Sequence, residues 1–406
     1  MYKRNNKIYF NICNICKSKN IENVINLGYH MPADTFINKK DFNIFIPKTR
    51  LVCKFCSNCL NIQLSNTLSK QLIYNKFKYS YRSGNSLISR KYWKQYHSYI
   101  KKIIKIEKGN ILEVGSNDGY LINQFNKKYF KLYAYEISKE MHTGLKKLKI
   151  NSKNYAFEDI PKKELISNKN KFDIIISNNV LNHCHNISNF FKNVYSLLSP
   201  NGYFFLEVPY SPWMLINNKF ELIYLEHINY FSLLGLNKVS NTNNLYINKV
   251  DFFDYHGKMI RLLISKNPSK NTKMHNIILK EKKFFKSKSV FFNFSENIKQ
   301  KKEIFLKKIN TIKQDDQSKI VGVGAGAKTS SFLNFFDLNT KHIDFLTDNS
   351  KFKIGKYIPL SKIQIKSDLY LKDKKNIYVF FPTWNISNFL KRKIRKLNKH
   401  IKFIKY

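Results

Sequence analysis

Residues 109–125 read GNILEVGSNDGYLINQF, and they decide what the middle of the chain is built around. Ile111 to Val114 is a short apolar run suited to a buried strand. Gly115 and Gly119 permit a tight turn with close backbone approach, and the apolar positions from Leu121 onward begin a helix. Strand, glycine turn and helix in that order make a ligand-binding unit. The turn lacks the G-x-G-x-x-G spacing that cradles a pyrophosphate, and the carboxylates of Glu113 and Asp118 would repel one. A cationic or zwitterionic ligand suits it better.

Working outward, KLYAYEIS (131–138) reads as the next strand and delivers Glu136 about twenty residues past the turn, where a carboxylate can accept both hydroxyls of a ribose. FDIIISNNVLNH (172–183) is a third buried strand running into Asn178, Asn179, Asn182 and His183. SLLSPNGYFFLEVP (196–209) reads as a helix end, a turn and a fourth strand. Helical spacing over 86–108 precedes the set. Strands alternating with helices predict an α/β unit with a mainly parallel sheet.

Upstream, Cys13 and Cys16 form one C-x-x-C pair, and Cys53, Cys56 and Cys59 supply a second within LVCKFCSNCLNIQL (51–64). Two such knuckles close a tetrahedral thiolate shell that suits zinc and leaves no position open for catalysis, so the site is expected to be structural. Cys53/Cys56 and Cys56/Cys59 have the same spacing; Cys13, Cys16, Cys56 and Cys59 are taken as the set, with Cys53 open as a replacement. The lone Cys184 reads as a core or lining thiol.

Composition bounds the rest. A chain of 406 residues exceeds a single domain of usual size. Its 72 Lys plus Arg against 27 Asp plus Glu leave a charge of +45, yet 43% hydrophobic and 15% aromatic residues are those of a packed protein rather than a polycationic tail. Lys accompanies heavy use of Asn, Ile, Phe and Tyr, so the excess is read as residue usage rather than as a polyanion partner. No apolar run is long enough to span a bilayer and no secretory h-region follows the N-terminus, which predicts a cytoplasmic protein with no membrane and no nucleic-acid partner.

Beyond the sheet, the segment Tyr224, Glu226, His227, Tyr230, Ser232 is dense in proton-transfer groups. In an extended strand Tyr224 and Glu226 share a face and His227 points away, so a bend is required for them to converge. DYHGKMIRLLIS (254–265) reads as a turn entering a strand, and KIVGVGAGAKTSSFLNFF (319–336) as a strand, a Gly/Ala turn bearing Lys328, and a helix. Between them, roughly 272–316 is a Lys-rich helical linker whose charges fit a solvated face.

The ordered set E-x-G-x-x-x-G, strand-end acid, FD-(apolar)-NN-x-L-x-H and L-S-P-N-G resembles the class I S-adenosylmethionine-dependent methyltransferases. With the paired knuckles, MPADTF (31–36), Y-x-Y-x-S-G-x-S (79–86), EVPY, Y-x-E-H-x-x-Y-F-S (224–232), HGKMIR, GAGAK and T-W-N (383–385), nearly the whole chain resembles the three-domain sugar C-methyltransferases. Leu225, Gly257-Lys258 and Thr329 depart from that pattern. The resemblance implies a zinc-binding domain over 1–75, a Rossmann-like methyltransferase domain over 76–270, and a helical linker with a smaller Rossmann-like α/β domain over 271–406. It implies S-adenosylmethionine and structural zinc, a nucleotide-linked keto-deoxysugar as substrate, and a monomer. Carried over, Glu113, Gly115, Asn117, Gly119, Glu136, Asp159 and Asn178 serve the cofactor. Carbon beside a ketone must lose a proton before it can be methylated, so His227 is expected as the base, Glu226 as its orienter or a hydroxyl anchor, and Tyr224 and His183 as donors to an enolate oxygen. Tyr79 or Tyr81 closes the pocket, and Asn182, Arg261 and Lys328 contact sugar or diphosphate. The competing expectations are an O- or N-methyltransferase for a small molecule and, less favoured, an RNA methyltransferase.

Overall fold

The apolar runs pair into strands as expected. The structure is a computed structural model that describes residues 2–4, 6–77, 79–269, 272–287 and 289–406. Among them, the central sheet contains β1 (Gly109–Val114), β2 (Phe130–Tyr135), β3 (Asn151–Lys153), β4 (Phe172–Asn178), β5 (Leu198–Pro209), β6 (Tyr246–Asp254) and β7 (Lys258–Ser265). Their order is β6-β7-β5-β4-β1-β2-β3. Pairings from β5 through β3 are parallel, and the β6–β7 hairpin adds on antiparallel through β7. Helices cover both faces, as a parallel sheet requires. One of them, Leu87–Ile103, is capped by Ser86, whose side chain accepts the Ser89 N–H, and it buries Tyr92, Trp93, Tyr96 and Ile100.

The cysteine-bearing region forms a separate antiparallel sheet of Ile21–His30, Thr49–Cys56 and Ile62–Leu64, completed by a strand from far away, Asn229–Tyr230. Asn229 pairs with Gln63 and Tyr230 with Ile62. The C-terminal unit is a parallel sheet of β8 (Lys319–Val323), β9 (Phe345–Asp348), β10 (Ile365–Ser367), β11 (Ile377–Phe380) and β12 (Lys402–Phe403), in the order β10-β9-β8-β11-β12.

The linker is more than a solvated helix. Helix Ser289–Lys313 turns its lysines outward but buries Phe294, Ile298, Phe305 and Ile309 along one stripe. That stripe joins one continuous apolar cluster running from Leu51 and Phe55 through Phe220 and Leu225 to Phe332 and Phe380. The knuckle sheet and the C-terminal sheet therefore share a core.

Arg261 is a correction to the sequence reading. It does not reach a ligand cleft: it is 2% exposed and pairs with Glu207 across β7 and β5 at 2.6 Å. Its guanidinium lies 3.6 Å from the Tyr96 ring centre and 3.8 Å from that of Phe253, and Tyr92 donates to Glu207 at 2.7 Å. An arginine in a strand looks like an anion binder by sequence, but two neighbouring strands and a helix enclose this one.

Removing one partner leaves an uncompensated buried charge. Glu207→Gln is expected to destabilise the fold by about 3–5 kcal/mol, whereas Glu207→Met with Arg261→Met should restore most of that loss. Urea unfolding of the two variants checks this.

Candidate active site

A cavity of about 1210 Å³ lies at the C-terminal edge of the parallel strands, where the order reverses between β1 and β4. Such a switch point is where open α/β sheets leave a crevice for ligand. Its walls come from all three units: Asp34 and Tyr79 from the N-terminal side, Gly115 and Glu136 from the central sheet, and Lys328 and Asp348 from the C-terminal unit.

Register assembles the first wall. Val114 sits opposite both Tyr135 and Ser177, so the next residues along, Gly115, Glu136 and Asn178, emerge side by side. Glu136 is buried and accepts the N–H groups of Asn117 and Ser138, each at 2.8 Å. Both polar atoms of the Asn178 side chain are buried without a partner among the described residues, which leaves them for a ligand. Gly115 has φ +63°, and a Cβ there would collide with Val180, so no other residue lets the backbone pass this close. Asn117 accepts the Ser83 N–H at 3.0 Å and donates to the Tyr81 carbonyl at 3.1 Å, tying the Tyr79–Tyr81 segment across the opening. Glu113 lines the same end, and burial pushes its carboxyl well up.

Three expected positions differ. Gly119 is not on the cavity wall; with φ +75° it lets the turn pack against Leu145. Asp159 faces solvent and ion-pairs with Lys70 at 2.6 Å, while its neighbour Glu158 is buried, lines the cavity and holds the other side of Lys70 at 2.6 Å. Asn182 is fully buried beside the wall rather than on it, and its carbonyl accepts the Ile228 N–H at 2.7 Å.

The second wall carries the proton-transfer groups. A turn closed by the His227 N–H on the Tyr224 carbonyl at 2.9 Å supplies the bend that the sequence required. It brings the ends of the turn together, so the Tyr224 hydroxyl meets His227 Nε2 at 2.5 Å. The His183 ring stands perpendicular to that of His227 with centres 4.7 Å apart. Burial, then the nearby His183 and Lys328, hold the His227 pKa well below its ordinary 6.5, with the Leu222 carbonyl opposing them. Burial likewise holds the phenols of Tyr224 and Tyr79 well above 10.

Glu226 is a further correction. It sits mid-turn and points away from His227, its carboxylate accepting the Asp34 N–H at 3.1 Å, so it cannot orient the imidazole. Burial raises it to about 7. Asp34 itself, from MPADTF, lines the cavity with Oδ2 unpartnered among the described residues. Sequence reasoning missed Asp34, Glu158 and Tyr74, whose hydroxyl meets His183 Nδ1 at 2.7 Å. It also passed over His256, which lines the cavity and meets Asn385 of T-W-N at 3.2 Å.

The third wall repeats the device of the first. Asp348 ends β9 and accepts the N–H of Ala325 at 2.9 Å, within the glycine turn after β8, and that of Ser350 at 2.8 Å. Lys328 lines the cavity from the helix that follows, its pKa lowered by burial to about 8.

Comparison with known proteins bears on this three-walled site. Residues 13–74 match a family model of a zinc binding domain, 89–250 one of a methyltransferase domain, and 254–406 one of a C-methyltransferase C-terminal domain. The chain is a C-methyltransferase that carries these three domains in this order. It is 21% identical over 381 residues to C-methyltransferase NovU of Streptomyces niveus, covering 92% of this chain and 89% of that one. Among solved structures, the PH0226 protein of Pyrococcus horikoshii is 15% identical at a TM-score of 0.39, covering 46% of this chain and 95% of its own. The YcgJ protein of Bacillus subtilis is 14% identical at 0.36, covering 43% and 99%.

A C-methyltransferase of this kind uses S-adenosylmethionine, and the first wall fits it: a strand-end carboxylate, an unpartnered Asn178 amide and a glycine turn without a phosphate cradle. It also carries structural zinc. The sulfurs of Cys13, Cys16, Cys56 and Cys59 all lie within 4.8 Å of one another, with Cys13–Cys59 and Cys16–Cys56 both at 3.5 Å. Four bonds of about 2.3 Å to one ion imply edges of about 3.8 Å, so the cage fits zinc closely. Cys53 is outside it, buried in the apolar cluster of the same strand. No helix among the described residues is long and apolar enough to cross a membrane.

Glu136→Ala is predicted to remove an acceptor for the ribose hydroxyls. A loss of about 1.5–3 kcal/mol corresponds to roughly 10- to 100-fold weaker S-adenosylmethionine binding, read by calorimetric titration, with Asp159→Asn unchanged. Metal analysis should find one zinc per chain, and Cys56→Ser should lose it.

Proposed function

We propose that this C-methyltransferase methylates the carbon beside the ketone of a nucleotide-linked keto-deoxysugar, with proton removal by the Tyr224–His227 pair. The carrying observation is the 2.5 Å contact between Tyr224 and His227 Nε2 in a cavity that also contains the cofactor wall and Lys328. Methylating oxygen or nitrogen does not need a base strong enough to make a carbanion. A C–H beside a ketone does, because only its enolate is nucleophilic at carbon.

When bound along Glu136 and Asn178, S-adenosylmethionine supplies a methyl group on a positively charged sulfur. The chain's own residues prepare the nucleophile. The Tyr224 oxygen takes the proton from the sugar carbon as its own proton passes to His227 Nε2, so the phenol serves as a relay and the imidazole as the final base. His183 donates to the oxygen on which the enolate charge develops. From the third wall, Lys328 offers a point charge to a diphosphate, whose arrival would raise its lowered pKa. Asp34 is placed to accept a sugar hydroxyl, with Tyr79 covering it.

His227→Asn is expected to abolish methyl transfer while S-adenosylmethionine still binds. The parent enzyme, offered a panel of nucleotide-linked 4-keto-6-deoxysugars in deuterated buffer, should exchange the carbon-bound hydrogen and yield a product heavier by one methyl. Methyl gain without a need for that hydrogen would instead identify an oxygen or nitrogen acceptor. A ring with a depressed pKa stays neutral until the pH falls well below its unfolded value. The acid limb of log kcat/KM is therefore expected below the ordinary histidine value of about 6.5.

A further inference from the structure

We infer that Tyr74 is a positioning residue that fixes His183 in the tautomer bearing its proton on Nε2. The inference rests on the proposed role of His183 as donor to the enolate oxygen and names what gives it that role.

Tyr74 lies in Gln71–Lys76, a stretch of π-helix between the knuckle sheet and the Tyr79–Tyr81 segment. Such wide turns are uncommon and cluster at functional sites, because the extra residue re-aims the side chains that follow. This one buries Leu72 and Ile73 and brings the Tyr74 hydroxyl to 2.7 Å from His183 Nδ1. Both residues line the cavity.

His183 emerges just past the end of β4, beyond the point where the Asn179 N–H is tied to the Glu207 carbonyl. Its backbone is closed by a 2.8 Å bond to the Val180 carbonyl, so the ring has a fixed origin. Its Nδ1 has only the Tyr74 hydroxyl as a hydrogen-bond partner among the described residues, and that hydroxyl has only Nδ1. Burial keeps the imidazole neutral, down to about 4, and keeps the phenol protonated. One proton is therefore shared between two ring nitrogens.

If Nδ1 held it, the phenolic O–H would face a donor and lose its acceptor, and Nε2 would present a lone pair to an oxygen gaining negative charge. With the phenol donating to Nδ1, each group in the contact is satisfied and Nε2–H is left for substrate. A neutral imidazole donating through Nε2 stabilises an enolate without surrendering its proton. The arrangement also separates two histidines whose rings stand 4.7 Å apart: His227, paired with Tyr224, receives a proton, and His183, paired with Tyr74, retains one.

The test uses the full chain with zinc, labelled with 15N at histidine. Long-range proton–nitrogen spectra, with the His183 signals assigned by their loss in His183→Asn, are expected to show Nε2 protonated and Nδ1 bare. In Tyr74→Phe, which keeps the ring and its packing, they should shift toward a mixture of tautomers. In the methyl-transfer assay Tyr74→Phe should lower kcat about 10- to 100-fold with KM nearly unchanged and zinc content and cofactor affinity intact. A protonated Nδ1 in the parent, a tautomer indifferent to Tyr74→Phe, or an unchanged kcat would overturn the inference. If instead the tautomer responds as expected but His183→Asn turns over normally, the donor role of His183 fails while the Tyr74 contact stands.

Discussion

The two-residue strand Asn229–Tyr230 determines where the turn carrying Tyr224 and His227 stands. It belongs by sequence to the methyltransferase unit, yet it pairs with Ile62–Leu64 in the knuckle sheet. The Leu64 N–H meets the Ile228 carbonyl at 2.8 Å, and Thr67 donates to the Leu225 carbonyl at 2.5 Å, so the turn carrying Tyr224 and His227 is clamped from both sides. The knuckle sheet is held in turn by the four-thiolate cage and by the apolar cluster it shares with the C-terminal unit. With four thiolates around it the metal has no open coordination position, so its link to the Tyr224–His227 turn runs only through backbone register.

The buried titratable groups share a pattern. The imidazoles of His183, His227 and His256 are pushed down, the phenols of Tyr74, Tyr79 and Tyr224 are pushed up, and Glu226 rises to about 7. All have burial as the leading cause. These rings are therefore uncharged near pH 7, and the charges of the cavity stand elsewhere on its wall, at Lys328 and at Lys70 paired with Glu158. Low local dielectric then makes each charged contact count for more than it would in water.

The sheet was legible from residues 109 to 209 because buried parallel strands are short apolar runs between turn residues, and the strand-end acid Glu136 follows from topology alone. The knuckles were legible because spacing limits what four sulfurs can share. What sequence misjudged depended on the direction of side chains within irregular segments. Glu158 and Asp159 are adjacent, and only the path of the loop decides which one turns inward. Glu226 and His227 are adjacent too, and the turn that joins Tyr224 to the histidine sends the glutamate toward Asp34. Arg261 occupies a strand position whose neighbours across the sheet lie far away in sequence, at Glu207, and further still at Tyr92. Tyr74 gave no signal because a widened helical turn has no pattern of its own in residue type.

The apolar cluster that runs unbroken from the knuckle sheet through Ser289–Lys313 to the C-terminal sheet limits how the enzyme can breathe. Hinged domains part along wet, polar seams, and these units are joined through phenylalanine rings such as Phe220 against Phe335, at 4.9 Å. Swinging one unit away from another would expose that packing. Traffic into and out of the cavity then falls to small segments at its rim, among them the one that Asn117 holds through Ser83 and Tyr81. The rate at which product leaves would be governed by a few hydrogen bonds at an edge rather than by the stability of the whole.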